Sequence, residues 1–173
     1  MGYKLHIFDL DGTLAETWET MILPGVTEGV SALEGGLAVA TNQAGVGWHA
    51  MEGEPYPRAE EVGRRLAAVA EAVPRLGDAL WLVAIGDERV SLTAERWLAL
   101  AEAVERSASP LRVRASSDVA WRKPRPGMLL TACEAYDVRR GEAIFVGDHQ
   151  TDREAAEAAG VDFAEADGYF GRE

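Results

Sequence analysis

One stretch near the amino terminus decides the fold: Lys4-Leu5-His6-Ile7-Phe8-Asp9-Leu10-Asp11-Gly12-Thr13. Its apolar run predicts a buried strand, and the glycine and threonine supply the turn that ends it. Residues two apart on an extended chain point the same way, so the carboxyls of Asp9 and Asp11 face one site. Two carboxylates held together repel and need a cation or a shared proton. The stretch predicts a metal site or an acid/base pair; a strand followed by an ordinary acidic turn is the alternative.

Length and composition favour one globular domain spanning residues 1–173, with 47% hydrophobic and 27% charged residues. The net charge of −12 argues against nucleic acid as the main partner, because that partner is itself a polyanion. The single cysteine, Cys133, excludes an internal disulfide and a thiolate metal cluster within one chain. No signal-like segment and no apolar run of membrane-spanning length is present, so we expect a cytoplasmic protein without a membrane partner. The composition does not indicate an oligomeric state.

Apolar runs alternate with helical patterns along the whole chain. Beyond the opening stretch, strands are predicted at residues 37–40, 80–85, 143–146 and 161–164, and residues 111–114 alternate as a short strand does. A helix is predicted over residues 58–73, Thr93 is a candidate cap for another, and residues 48–58 are predicted to be a loop. This alternation predicts an α/β fold with a mainly parallel, five-stranded sheet covered on both faces. In such sheets, ligands bind at the carboxyl ends of the strands.

Three further segments concentrate polar chemistry next to predicted strands: Thr41-Asn42-Gln43-Ala44-Gly45, Trp121-Arg122-Lys123-Pro124-Arg125 and Gly147-Asp148-His149-Gln150-Thr151-Asp152. The first combines a hydroxyl, an amide and glycine, which is typical of an anion-binding turn. The second concentrates three cations in an acidic chain, although an ordinary surface position is the alternative for Lys123. The third adds carboxylates to the same edge of the sheet.

Together with Asp9-Leu10-Asp11-Gly12-Thr13, these segments resemble the four motifs of the haloacid dehalogenase (HAD) superfamily, in the family's order. The wording Thr-Asn-Gln-Ala-Gly-Val and Arg-Lys-Pro-Arg-Pro-Gly-Met-Leu is similar to the subclass III branch. That branch contains the histidinol-phosphate and heptose-bisphosphate phosphatases and the polynucleotide 3′-phosphatases. The resemblance implies a three-layer α/β/α Rossmann-like fold. It also implies a Mg²⁺-dependent phosphatase acting on a phosphate monoester, with a small metabolite such as a sugar phosphate as the expected substrate.

The resemblance assigns roles to individual residues. Asp9 is expected to be the nucleophile that forms an aspartyl-phosphate, and Asp11 the general acid and later base. Thr41 and the Asn42 N–H are expected to hold phosphate oxygens, and Lys123 to neutralise charge on the phosphoryl group and on Asp9. The expected Mg²⁺ ligands are the carboxylates of Asp9 and Asp148 and the Asp11 backbone carbonyl, with Asp152 as a more distant or water-mediated partner.

Residues around these motifs admit more than one role. Arg122 and Arg125 are candidates for binding a second anionic group of the substrate, with solvent exposure as the alternative. Trp48 and His49 are candidates to face the substrate, although an ordinary loop position is favoured for His49. Three candidates remain. His6 is interpreted as structural and His149 is left out of the mechanism. Asp87 is either a residue at the rim of the site or a turn residue.

The chain departs from the branch that it resembles in two ways. The branch usually carries a zinc site with cysteines just before the lysine motif, whereas residues 86–120 here hold a helix and an extra strand pattern instead. The short spans 14–23 and 48–58 leave room for little or no cap domain, so we expect an open site. A polynucleotide 3′-phosphatase is the alternative function, favoured by an open site and opposed by the net charge. A non-catalytic binding module on the same fold is the second alternative.

Overall fold

The opening apolar run forms strand β1, Leu5–Phe8, which is buried along its whole length. In this computed structural model, which describes residues 2–172, β1 lies inside a parallel sheet of six strands. The other strands are β2 (Gly36–Asn42), β3 (Leu80–Ala84), β4 (Arg112–Ser116), β5 (Ala143–Gly147) and β6 (Asp162–Glu165). Their order across the sheet is β4-β3-β2-β1-β5-β6, and every neighbouring pair is parallel.

Seven α-helices connect the strands over residues 2–172. They are α1 (Val26–Ser31), α2 (Gly45–Glu52), α3 (Ala59–Ala72), α4 (Ala94–Ser107), α5 (Gly127–Ala135), α6 (Gln150–Ala159) and α7 (Ala166–Phe170). One apolar layer packs α1, α3, α4 and α7 against one face of the sheet through residues such as Phe8, Val39 and Trp81. A second layer packs α5 and α6 against the other face through residues such as Ile7 and Phe145. The predicted α/β sandwich with helices on both faces is confirmed.

The sheet has one strand more than the five predicted. Residues 111–114 show only a short alternating pattern, yet residues 112–116 form the edge strand β4, paired with β3 from Leu80↔Arg112 to Ala84↔Ser116. Its side chains alternate between exposed and half-buried positions, because an edge strand has a neighbour on one side only. Such a strand lacks the continuous apolar run that marks the central strands.

The predicted loop 48–58 is wrong in its first half, because helix α2 runs from Gly45 to Glu52. Glycines disfavour a helix when only local propensity is considered. Here Gly47 packs so closely against the Trp97 ring of α4 that a Cβ atom at this position would collide with it. Tertiary packing therefore overrides the local preference. Helix α3, at Ala59–Ala72, confirms the helix predicted over residues 58–73, and the Thr93 hydroxyl caps α4 by accepting from the Arg96 N–H at 3.3 Å.

The register of the central strands brings their carboxyl ends to the same level. Phe8 of β1 lies opposite Val39 of β2 and Val146 of β5. The residues that come next, including Asp9, Thr41 and Asp148, therefore lie at one edge of the sheet. The segment after β1, residues 12–22, is called the flap here; an antiparallel bridge between Ala15 and Ile22 closes it, and it is short enough that little cap is present. None of the helices described in the chain is both long and apolar enough to cross a membrane.

Candidate functional site

The centre of the site is a buried lysine between two buried carboxylates. The Nζ atom of Lys123 lies 2.6 Å from Asp9 Oδ1 and 2.6 Å from Asp152 Oδ1. The three side chains are at most 9% exposed. Asp148 lies beside them in a more exposed position, and one carboxylate oxygen from each aspartate falls within 4.8 Å of the others. We call Asp9, Lys123, Asp148 and Asp152 the acidic floor.

Backbone and helix geometry hold the acidic floor in place. The Asn42 side chain donates to the Lys123 carbonyl at 3.1 Å and accepts from the Lys123 N–H at 3.0 Å, so it fixes the lysine segment against the end of β2. Asp152 lies in the first turn of α6, where its carboxylate accepts from the His149 N–H at 3.1 Å. The His149 ring accepts from the Thr151 N–H at 3.2 Å, which makes it the cap of that helix.

Two glycines make room for the carboxylates. Gly12 has a φ of +77°, and a Cβ atom on it would collide with the Asp148 carboxylate. A Cβ atom on Gly147 would collide with Asp152 in the same way. Any other residue at these two positions would displace a carboxylate of the acidic floor. The glycines of Asp-Gly-Thr and of Gly-Asp therefore both leave space for the same cluster.

The electrostatics of the floor are unbalanced, because three carboxylates face one ammonium group. The pKa of Asp9 is raised to about 7, chiefly by burial; Lys123 opposes this rise and Asp152 adds to it. Burial opposes the charge of Lys123, but Asp9 and Asp152 outweigh burial and raise the pKa of the lysine. Burial, and then the charge of Asp152, also raise the pKa of Asp148. The folded chain thus holds more negative charge here than one lysine neutralises.

This donor set fits a hard divalent cation. All the candidate ligands are oxygens, which Mg²⁺ prefers, and a cation would offset the burial and the repulsion from Asp152 that raise the pKa of Asp9 and of Asp148. Lys123 takes one oxygen each from Asp9 and Asp152, which leaves the Asp148 carboxylate and the second Asp9 oxygen as the less engaged donors. The residues present can therefore hold a Mg²⁺ ion through Asp9, Asp148 and the adjacent backbone.

Asp11 lies at the same cavity, but its carboxylate is directed toward helix α3. Its Oδ1 atom accepts from the Trp18 N–H at 3.0 Å and from Arg65 at 2.7 Å, and its Oδ2 atom accepts from the Gln43 amide at 2.9 Å. Sequence reasoning missed both Arg65 and Gln43. Gln43 lies within a quoted motif, whereas nothing in the pattern of α3 distinguishes Arg65 from its neighbour Arg64.

A cavity of about 260 Å³ opens above the acidic floor. Its walls come from all the predicted site residues except Arg122, together with Thr17 of the flap, His149 at the cap of α6 and Thr151 within it. The Thr41 hydroxyl is buried at its base and accepts from the Gln43 amide at 2.9 Å. Of the predicted site residues, the structure brings Asp9, Asp11, Thr41, Asn42, Lys123, Asp148 and Asp152 to this cavity. Both the nitrogen and the oxygen of the Asn42 side chain bond to Lys123, which leaves the backbone N–H as the expected substrate contact of this residue.

Arg122 lies apart from that cavity, in a second charged cluster. Its guanidinium is 3.5 Å from Asp87, which also accepts two bonds of 2.9 Å from Arg89. Trp48 donates to the same carboxylate at 3.5 Å and lies under the Arg89 guanidinium, 5.1 Å from it. Trp48, Asp87, Arg89 and Arg122 are called the rim. The hydrogen bonds from Arg89 hold the pKa of Asp87 well below its usual range; burial opposes this shift, and Arg122 and Trp48 add to it.

The other candidate residues lie in structural roles or at the surface. Arg125 pairs with Glu88 beside the rim. The His49 ring lies 2.6 Å from the Tyr56 carbonyl, and the His6 ring lies 2.9 Å from the Tyr169 hydroxyl. Both histidines are therefore occupied by contacts away from the acidic floor.

Comparison with known proteins gives a family match over part of the chain. Residues 112–166 match the model of the haloacid dehalogenase-like hydrolases. This segment, about a third of the chain, carries Lys123, Asp148 and Asp152 but not Asp9 or Thr41. No curated protein matches the sequence.

Solved structures resemble the chain over more than nine-tenths of its length. A protein of Mesorhizobium loti described as a HAD-like phosphatase has a TM-score of 0.64 at 20% identity, over 92% of this chain and 70% of its own. The D,D-heptose 1.7-bisphosphate phosphatase of B. bronchiseptica, in complex with magnesium and phosphate, has a TM-score of 0.49 at 20% identity, over 94% and 78%. The 4-nitrophenylphosphatase of Thermotoga maritima has a TM-score of 0.47 at 18% identity, over 94% and 85%. The first of these likenesses shows that the chain has the Rossmann-like fold of the HAD-like hydrolases.

Proposed function

We propose that this chain is a Mg²⁺-dependent phosphatase of the HAD superfamily that hydrolyses a phosphate monoester through an aspartyl-phosphate on Asp9. One observation carries the proposal: Asp9 is buried at the carboxyl end of β1, 2.6 Å from Lys123 and within reach of two further carboxylates. A buried carboxylate next to a fixed cation and a metal-binding oxygen set is suited to attack phosphorus. The family match over residues 112–166 and the shared fold support an enzyme of this type.

The proposed reaction has two steps. An Asp9 oxygen attacks the phosphorus and forms the acyl-phosphate bond while the bond to the leaving oxygen breaks, and Asp11 donates its proton to that oxygen. A water molecule then attacks the phosphorus of the aspartyl-phosphate, Asp11 accepts the water's proton, and Asp9 and inorganic phosphate are released. A proton donor is required because the alkoxide of a phosphate monoester is a poor leaving group.

The remaining residues of the cavity have binding roles in this scheme. Lys123 offsets the negative charge of the phosphoryl group and of Asp9, and Thr41 and the Asn42 N–H hold phosphate oxygens. The Asp9 and Asp148 carboxylates and the Asp11 backbone carbonyl would hold Mg²⁺, with Asp152 fixed behind them. When bound, the ion supplies positive charge between the anionic nucleophile and the anionic substrate.

The proposed substrate is a small phosphorylated metabolite, such as a sugar phosphate. The cavity of about 260 Å³ suits a phosphoryl group with a compact leaving group, and the net charge of −12 disfavours a polynucleotide. Arg122, about 29% exposed at the rim, would contact a second anionic group of the substrate. This assignment follows the resemblance of Arg-Lys-Pro-Arg-Pro-Gly-Met-Leu to the branch that includes the heptose-bisphosphate phosphatases, and the branch itself stays a prediction.

The test is hydrolysis of a panel of phosphate monoesters with Mg²⁺, comparing the wild type with Asp9→Asn. The panel contains p-nitrophenyl phosphate, sugar phosphates, a sugar bisphosphate and a 3′-phosphorylated oligonucleotide. We expect the substitution to lower turnover on the order of 10⁴-fold or more while circular dichroism stays unchanged. Mass spectrometry of acid-quenched enzyme should locate the phosphoryl adduct on the peptide that contains Asp9.

The exposed Asp78, at the opposite end of the sheet, provides the matched control: Asp78→Asn should keep full activity. Unchanged activity of Asp9→Asn would refute the proposed nucleophile. A wild type that hydrolyses the oligonucleotide in preference to the sugar phosphates would favour the polynucleotide 3′-phosphatase instead.

A further inference from the structure

Arg65 is the one cation of helix α3 that points into the site. Its Nη2 atom donates to Asp11 Oδ1 at 2.7 Å and to the Glu16 carbonyl at 3.0 Å, and its Nε atom donates to the Glu19 carbonyl at 2.7 Å. The side chain is only 9% exposed. A single guanidinium therefore joins α3, the flap and the carboxylate of Asp11.

Burying this arginine costs stability unless specific contacts offset the cost. Its Nη1 atom is buried and has no hydrogen-bond partner among residues 2–172, and the Gln43 Oε1 atom beside Asp11 is in the same state. A buried donor without a partner destabilises the fold. Arg64, the preceding residue, is exposed and shows that the helix accommodates an arginine without burying it. The contacts to Asp11 and to the flap are thus the specific gain that keeps Arg65 inside.

The two oxygens of Asp11 have different surroundings. Oδ1 is held by the charged Arg65 and by the Trp18 N–H of the flap, whereas Oδ2 is held only by the neutral Gln43 amide among residues 2–172. Hydrogen bonds that involve a charged partner are about twice as strong as neutral ones. Oδ1 is therefore the anchored oxygen and Oδ2 the one that is more readily released.

We propose that Arg65 is the positioning residue of the general acid: it pins Asp11 through Oδ1 and leaves Oδ2 as the oxygen that carries the transferred proton. This inference rests on the proposed phosphatase function. Arg65 does not touch the substrate in this scheme. Its effect on the reaction passes through Asp11 and through the flap, which contacts both Asp11 and Arg65.

The test separates positioning from simple structural support by means of the leaving group. The variants are Arg65→Met, the charge-conserving Arg65→Lys and the matched control Arg64→Met, each assayed on p-nitrophenyl phosphate and on an alkyl phosphate. The alkyl ester needs a proton donor far more than the nitrophenyl ester does. We expect Arg65→Met to lower kcat/KM, which reports the step in which the leaving group departs, about tenfold more on the alkyl ester than on the nitrophenyl ester, a part of the roughly 10²- to 10⁴-fold effect of a general acid. Arg65→Lys should recover part of the loss, and Arg64→Met should match the wild type.

A double-mutant cycle with Asp11→Asn gives the second kinetic readout. If Arg65 acts through Asp11, Arg65→Met should add little further loss on the alkyl ester once Asp11 is replaced. Hydrogen exchange of the Trp18 amide gives a readout without turnover, and this amide should exchange faster in Arg65→Met because its acceptor is no longer pinned.

The outcomes distinguish this inference from the proposed function. Equal losses of kcat/KM on both esters, or a full additional loss in the Asp11→Asn background, would overturn the positioning role while the wild-type enzyme remained a phosphatase. A wild type inactive on both esters would overturn the proposed function, and the role of Arg65 with it. If Arg65→Met fails to fold, the same comparison is made with Arg65→Lys. The proposal would be overturned if the ratio of activities on the alkyl and nitrophenyl esters were the same in Arg65→Lys as in the wild type.

Discussion

The acidic floor and the rim lie at the same edge of the sheet, yet they hold charge in opposite ways. In the floor, three carboxylates share one buried lysine. In the rim, two arginines share one carboxylate, and the Arg89 side chain is 71% exposed. Burial raises the pKa of Asp9 to about 7, whereas the hydrogen bonds from Arg89 hold the pKa of Asp87 well below its usual range.

The difference shows which cluster neutralises its own carboxylates in the folded chain. The rim satisfies its own carboxylate with surplus positive charge, so it suits contact with an anion. The floor keeps surplus negative charge in a buried position, which is costly unless a cation joins it. This unbalanced buried charge supports the proposal that the floor, rather than the rim, is the reactive centre.

Removing one cation from each cluster should give the largest contrast. We expect Lys123→Met to lower the free energy of unfolding by about 3–5 kcal/mol, because it leaves buried carboxylates without their partner. The same change should lower turnover on the order of 10²- to 10³-fold. Arg89→Met should cost far less stability, since the Arg89 side chain is largely exposed and Arg122 remains beside Asp87. Urea denaturation and p-nitrophenyl phosphate hydrolysis measure the two effects.

The double variant Lys123→Met with Asp152→Asn serves as the control. It removes one of the carboxylates left unpaired, so it should recover part of the lost stability. Equal stability losses for Lys123→Met and Arg89→Met would mean that burial does not distinguish the two clusters.

The two aspartates should also respond to pH in opposite directions. The folded pKa of Asp9 lies above its ordinary value of 3.8, so its favourable contribution is complete below about pH 4 and is lost as pH rises through about 7. The folded pKa of Asp87 lies below that value, so its contribution is present above about pH 4 and is lost as pH falls further. Urea denaturation in the presence of a chelator, across a range of about pH 3 to 8, measures both.

The difference in stability between each Asp→Asn variant and the wild type isolates the contribution of that aspartate from those of the other carboxylates. Asp9→Asn should gain stability relative to the wild type as pH rises from about 4 to 7, and Mg²⁺ should reduce that gain by stabilising the ionised wild-type floor. Asp87→Asn should be less stable than the wild type at neutral pH, with the gap closing in acid. If the stability differences of Asp9→Asn and Asp87→Asn from the wild type changed with pH in the same direction, the contrast between floor and rim would be contradicted.

The smallest effect is expected at the rim, on substrate binding. Arg122→Met should raise KM for a sugar bisphosphate about tenfold and leave kcat nearly unchanged, since a hydrogen bond to a charged group contributes about 1.5–3 kcal/mol. KM for p-nitrophenyl phosphate, which has no second anionic group, should stay the same. Arg139→Met, a change of an exposed arginine paired with Glu142 away from the site, is the control. A rise in KM for both substrates would assign Arg122 to the phosphoryl group itself.

Much of the site could be predicted because its residues come directly after strands whose patterns are strong. Buried central strands show continuous apolar runs, and the polar residues at their carboxyl ends meet at one edge of a parallel sheet. This pattern locates Asp9, Thr41 and Asp148. The edge strand β4 and the glycine-rich helix α2 were harder to predict, since one is half-exposed and the other is stabilised by packing against α4 rather than by its own propensity.

The sequence by itself determined the α/β alternation, the carboxylates that the strands deliver, and a lysine segment with the composition of an anion site. Only the tertiary structure decided that Lys123 bridges Asp9 and Asp152, that Arg122 turns to Asp87, and that Arg65 holds Asp11. The physical reason is the range of the interactions. Strand and helix patterns arise from neighbours along the chain, whereas an ion pair between residues 54 positions apart depends on how whole elements pack.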